Sequence, residues 1–187
     1  LELLRSSIRD DGIRDPLVVT QDDMLVDGHR RLTVARELGL DRVPVDQRQF
    51  ADEREIEEFM LTVNLQRRNF TEAQRRYFVG RLYNTRKGDR AANLKKGADF
   101  PKDQDDPSEK STAETVAEQC GVGPATVKRY ARCAAAIDKV TEVLGIEGRN
   151  RVLTGKITNN LVAAVEAATG VEEMMAAIDG RVSQNGS

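Results

Sequence analysis

Asp27-Gly28-His29-Arg30-Arg31 gathers the residues of this chain best suited to holding an anion. A strand-like run, Met24-Leu25-Val26, precedes it, and a helix-like run from Leu32 to Leu38 follows. The start of a helix leaves backbone N–H groups unpaired and carries the positive end of the helix dipole. Glycine lets a ligand approach the main chain, and arginine supplies a planar fork of donors that matches phosphate. Gly28, His29, Arg30 and Arg31 therefore read as an anion site, most naturally for a nucleotide phosphate. The same residues would equally suit a capped surface helix with solvated arginines. Asp27 and His29, with Asp15 or Asp23, are candidate general bases. An alternative reading is thus a nucleotide-dependent phosphotransferase or nuclease using the same pocket.

A second constellation runs from Thr112 to Tyr130 and has the pattern of a helix-turn-helix. Thr112 is the expected cap of its first helix. Ala117 is small where two helices must cross, and Gly121 falls where the turn needs a left-handed residue. Pro124 fits the first turn of the second helix, where its missing N–H costs nothing. Val116, Cys120, Val122, Val127 and Tyr130 form the expected buried set, with Cys133 half-buried one turn further on. The remaining face offers Thr126, Lys128, Arg129 and Arg132, the types that contact bases and phosphates. A plain helical hairpin within a bundle is the competing explanation.

The elements that must position these groups follow from periodicity and punctuation. Residues 3–9 read as a helical turn leading to Gly12, and Gly12 to Pro16 as a turn. Leu17–Thr20 reads as a strand, 24–26 as a second, and 43–45 as a third. A helix is expected from about His29 to Leu38, stopped by Gly39. Ala51–Leu61 reads as a charged helix. Thr71 and Gln74 form a capping-box pattern that opens another. Arg86–Lys110, with two glycines, two prolines and an acidic run from Asp103, reads as a mobile linker. Helical pieces are expected at 134–144, 152–157, 161–168 and 172–178, with a frayed tail at 183–187. The expected domains are 1–65, 66–110 (a connecting helix and linker) and 111–180.

Composition narrows the function classes. Of 187 residues, 32% are charged and 39% hydrophobic, as in a charged globular protein. No apolar run approaches the roughly 20 residues that span a bilayer, and the first residues lack a signal-peptide core. A chain starting at Leu1 reads as a fragment or processed product. Two cysteines make no disulfide framework and favour the cytoplasm. One histidine excludes a multi-histidine metal site. The net charge of −2 hides an asymmetry: residues 1–60 hold 15 acids and 9 Arg/Lys, whereas residues 66–96 hold 10 Arg/Lys and two acids. A basic block beside an acidic domain suits a polyanion, with double-stranded DNA the favoured partner and no membrane role.

Three boxes, in order, give the chain a resemblance to the ParB family and the wider ParB/sulfiredoxin superfamily. They are Gly12-Ile13-Arg14-Asp15-Pro16-Leu17-Val18-Val19, Gly28-His29-Arg30-Arg31 with Ala35, and Asn64-Leu65-Gln66-Arg67-Arg68-Asn69. The helix-turn-helix follows where a ParB protein has one. The implied fold class is α+β: a small mixed α/β ParB/sulfiredoxin-like domain followed by an all-α helix-turn-helix domain. The resemblance implies CTP and Mg²⁺ as ligands. Gly28, His29, Arg30, Arg31 and Arg67 would form the phosphate site, Pro16 would line the base pocket, and Asn64 would help hold the metal. It also implies a homodimer that closes on DNA, acting in chromosome or plasmid partition or in transcriptional regulation. No sustained heptad zipper is present. Val63 stands where the family has a glutamate linked to turnover, which leaves at most weak CTP hydrolysis. His29 replaces the glutamate of the arginine box. The sulfiredoxin cysteine would fall at Asp27 or His29, so that chemistry is absent.

Overall fold

A computed structural model describes residues 2–66, 70–95 and 110–184. The chain divides into two compact units, Leu1–Met60 and Leu61–Ser187. The elements form the mixed α/β and then helical arrangement expected.

The first unit opens with α1 (Glu2–Asp11), followed by strands β1 (Leu17–Thr20) and β2 (Leu25–Asp27), helix α2 (His29–Glu37) and strand β3 (Val45–Arg48). The sheet order is β2-β1-β3. β1 pairs antiparallel with β2 (Val18 opposite Asp27) and parallel with β3 (Leu17 opposite Val45). A parallel neighbour requires a crossover, and α2 supplies it. All four residues of β1 are buried, as expected of a central strand. Ile8, Leu17, Val26, Val34 and Ala35 form the small core. The second strand begins one residue later than expected, because Asp23 takes a positive φ of 59° in the turn. The third begins at Val45 rather than Val43: Pro44 offers no N–H to a ladder, although its carbonyl accepts from Leu17 N–H at 2.9 Å.

Helix α3 (Glu53–Leu65) runs across the boundary between the units and extends past Leu61. In the second unit, α4 (Glu72–Lys95) lies between two apolar clusters. Ala73 and Tyr77 join Ala134, Ile137, Val140, Leu161, Val165 and Met174 in one, while Val79 and Leu82 join Leu61, Val116, Ala117 and Val127 in the other. Thr71 N–H donates to Gln74 Oε1 and Gln74 N–H to Thr71 Oγ1, so the capping box forms. The helix runs through Gly88 to Lys95, which corrects the linker expected from Arg86; one exposed glycine costs only about 1 kcal/mol in a helix. Residues 96–109 of that expected linker lie outside the described residues.

Helices α5 (Thr112–Cys120), α6 (Pro124–Leu153), α7 (Asn159–Ala167) and α8 (Val171–Gln184) complete the unit. α6 merges pieces expected at 134–144 and 152–153 with the helix begun at Pro124; its one break is at Gly145 (φ 69°, ψ −169°), where it kinks. Residues 154–157 are not helical. α8 exceeds the expected 172–178 and takes in Ser183 and Gln184, whereas 185–187 lie outside the described residues. Gly80 sets the crossing of α4 and α6. A Cβ there would stand 2.1 Å from the Tyr130 carbonyl oxygen and 2.8 Å from Ala134 Cβ, so only glycine lets the two backbones touch. Asn84 Nδ2 donates to Ala131 O at 3.0 Å four residues on, and the Tyr77 hydroxyl donates to Asp138 at 2.8 Å, fixing the register of the pair.

Candidate functional site

The strand-to-helix corner of the first unit is built around Gly28. Its φ of 102° is in the left-handed region, and a Cβ would meet Leu17 Cδ2 at 2.5 Å. The turn therefore requires glycine for backbone and packing reasons of its own. Gly28 is the N-cap of α2, and no side chain caps the helix. The opening N–H groups of α2 thus have no side-chain cap, and the first two residues of the helix, His29 and Arg30, are exposed. That is a seat of the right polarity for an anion.

Arg31 behaves differently from its neighbours. Its Nη1 donates to the carbonyls of Asp15 (2.5 Å) and Pro16 (3.1 Å), and Nη2 pairs with Asp27 at 2.8 Å. The side chain is only 20% exposed. Arg31 is a strut that ties the 12–16 loop to the start of α2, and it places Pro16 beside that start. Asn64 is half-buried on α3, in the second unit, with Val63 half-buried before it. Arg67 lies outside the described residues. No group of three or more His, Cys, Asp or Glu side chains could hold a metal among the described residues.

In the second unit, Ser111 caps α5 and corrects the expectation for Thr112. Its hydroxyl accepts from Glu114 N–H, and the Glu114 carboxylate accepts from Ser111 N–H at 2.7 Å. These bonds hold the Glu114 carboxyl below the usual glutamate range, the Ser111 backbone N–H contributing most. The Ser111-x-x-Glu114 pattern was visible in the sequence. Gly121 closes α5 in the left-handed conformation (φ 66°), and Val122 N–H donates to Ala117 O at 3.0 Å. Pro124 is the first residue of α6. Val116 and Val127 are fully buried, and each contributes about 1.5–3 kcal/mol. Arg75 Nη2 donates to Cys120 O at 2.6 Å, anchoring the turn to α4.

Of the four residues expected on the outer face of α6, Lys128 and Arg129 are exposed and Thr126 is half-buried. The guanidinium of Arg129 lies 5.8 Å from the Tyr130 ring. Arg132 is exposed but paired with Glu166, its Nε donating at 2.7 Å and its Nη2 to the other carboxylate oxygen. Cys133 is fully buried rather than half-buried, and burial pushes its thiol up to about 11.

Residues 1–65 match the family model of the ParB N-terminal domain. The fold is similar to a solved Pnob8-like ParB-N domain, at 16% identity and a TM-score of 0.54, covering 88% of this chain and 70% of that one. At that identity the likeness is one of fold. A comparison with curated proteins gives no match. No helix among the described residues is long and apolar enough to cross a membrane.

Proposed function

We propose that this is a ParB-like DNA-binding protein whose first unit binds a nucleotide, CTP with Mg²⁺, and whose α5–α6 pair is a helix-turn-helix that docks α6 in the major groove. It would act as a dimer in chromosome or plasmid partition or in transcriptional control. The observation that carries the reading is the pairing of a ParB N-terminal domain with a two-helix turn that leaves Lys128 and Arg129 exposed at the start of α6. Arg129 makes no ion pair among the described residues. An unpaired guanidinium on an exposed helix face suits a phosphate or a guanine edge.

The nucleotide phosphates would sit on the opening N–H groups of α2, with Arg30 and His29 as exposed contacts and Arg31 holding the loop in place. The roles of Asn64 at the metal and Arg67 at a phosphate rest on the resemblance alone. Nucleotide and duplex would each favour one conformation of the chain, a coupling that must be reciprocal.

The test is a titration of CTP, ATP, GTP and UTP with Mg²⁺, each with and without duplex DNA. The proposal expects one nucleotide to saturate, with little turnover, weakened by Arg30→Ala and strengthened when duplex is present. Failure of all four to bind would reduce the first unit to a protein-contact module. Brisk turnover abolished by His29→Ala would favour the phosphotransferase or nuclease reading instead.

A further inference from the structure

A cavity of about 480 Å³ lies in the second unit beside the start of α6, and four cationic side chains line it. Arg76 comes from α4, Arg129 and Arg132 from α6, and Lys156 from the segment between α6 and α7. Thr158, the N-cap of the nine-residue helix α7, and Asn159, its first residue, complete the rim.

The charges are not balanced inside the fold. Arg76 pairs with Glu72 and donates to Ile157 O at 3.2 Å, yet its Nε is buried with no hydrogen-bond partner among the described residues. Arg132 is matched by Glu166. Arg129 and Lys156 have no carboxylate partner among the described residues. The cavity is thus lined by two cations without a carboxylate partner among the described residues and by the start of α7, where the Thr158 side chain caps the Leu161 N–H. An anion with several acceptor oxygens would answer both cations and the opening N–H groups of α7 that the Thr158 cap leaves.

We propose that this cavity seats a phosphodiester group of the DNA backbone, next to the stretch that α6 reads. The inference rests on the helix-turn-helix reading above, because Arg129 belongs to both surfaces. Its occupant is a single backbone phosphate, which fixes register without reading sequence. A free phosphate ion offers the same oxygens, so the test must separate the two.

Lys156 is the residue to change, since it is exposed and makes no hydrogen bond or ion pair among the described residues. Duplex affinity of the full chain would be measured by fluorescence anisotropy between about 50 and about 200 mM salt for the unmodified chain, Lys156→Gln and Lys128→Gln. The expected result is weaker binding by Lys156→Gln and a salt slope shallower by about one, comparable with Lys128→Gln. Steep, salt-dependent binding by the unmodified chain with no change in Lys156→Gln would overturn the seat while leaving the helix-turn-helix reading intact. No duplex binding at the lowest salt would remove that reading, and the seat with it. A separate arm would add inorganic phosphate to the DNA-free chain and follow the Thr158 and Asn159 amides. Saturation at low millimolar phosphate, with duplex binding indifferent to Lys156→Gln, would assign the cavity to a free anion and overturn the proposal.

Discussion

Arg31 and Arg129 invite comparison, because both lie near the start of a helix that begins on a glycine with no side-chain cap, Gly28 for α2 and Gly123 for α6. Their side chains do opposite work. Arg31 turns inward onto two loop carbonyls and Asp27, whereas Arg129 stays exposed, over the Tyr130 ring and at the edge of the cavity lined by Arg76, Arg132 and Lys156. The acceptors within reach decide the difference. The 12–16 loop presents carbonyls to Arg31, whereas Glu166, the carboxylate against the outer face of α6, is taken by Arg132 and not by Arg129. An arginine's presence at a helix start therefore does not reveal whether it builds the site or serves it.

The inward and outward roles predict a graded series of effects. The largest concerns the glycine that locks the buried side of α6. Gly80→Ala would press a methyl into the Tyr130 carbonyl, which no rotamer change relieves, and should cost the helical unit about 3 kcal/mol or more. Thermal unfolding should show a large drop in melting temperature. Next comes the strut. Arg31→Ala should cost the first unit about 2 kcal/mol, since it removes the hydrogen bonds to two loop carbonyls and the ion pair with Asp27. Arg31→Lys should recover little, because an ammonium cannot fork across both acceptors. Denaturant unfolding followed by hydrogen exchange of the β1 amides would measure it.

A smaller effect belongs to the cap of α5. Ser111→Ala should cost about 1 kcal/mol. The cap also carries a pH dependence whose sign is fixed. Folding depresses the Glu114 carboxyl, so its contribution is present above the ordinary value of 4.5 and is lost as pH falls through the lower folded value. Glu166 and Glu173 shift the same way, through Arg132 and through Thr169 respectively. Acid unfolding of the helical unit should begin at higher pH in Glu114→Gln. The smallest effect on stability is at the outward residues. Lys128→Ala and Arg129→Ala should leave the melting temperature unchanged while weakening duplex binding. A uniform loss across sequences marks a phosphate contact, and a sequence-selective loss of about 1–3 kcal/mol marks a base contact. A large drop in melting temperature for Arg129→Ala would erase the contrast with Arg31.

Local chemistry is what the sequence makes legible. β1 falls at Leu17–Thr20 as expected because three apolar, mostly β-branched residues followed by Thr20, set between turn residues, have few other uses. The turn at Gly121 and the start of α6 at Pro124 are legible for the same reason, since each depends on one residue's backbone limits. Long-range partners are not legible. The Arg31 strut needs acceptors 15 and 16 residues away, and the Arg132–Glu166 pair spans 34 residues. Neither spacing has a period that sequence alone could flag. Gly88 and Gly145 show the limit of punctuation. α4 runs straight through Gly88, whereas Gly145 takes a positive φ and kinks α6. The cavity around Arg76 and Lys156 draws on three helices and a connecting segment, so it emerges only once α4 has docked on α6.

Amide chemical-shift mapping of the labelled chain is the most direct check on the division of labour between the two helix starts. Nucleotide with Mg²⁺ should move the Gly28, His29 and Arg30 amides, and duplex DNA should move those of Thr126, Lys128 and Arg129. Duplex-induced shifts confined to the Gly28 corner, with the start of α6 silent, would contradict the assignment.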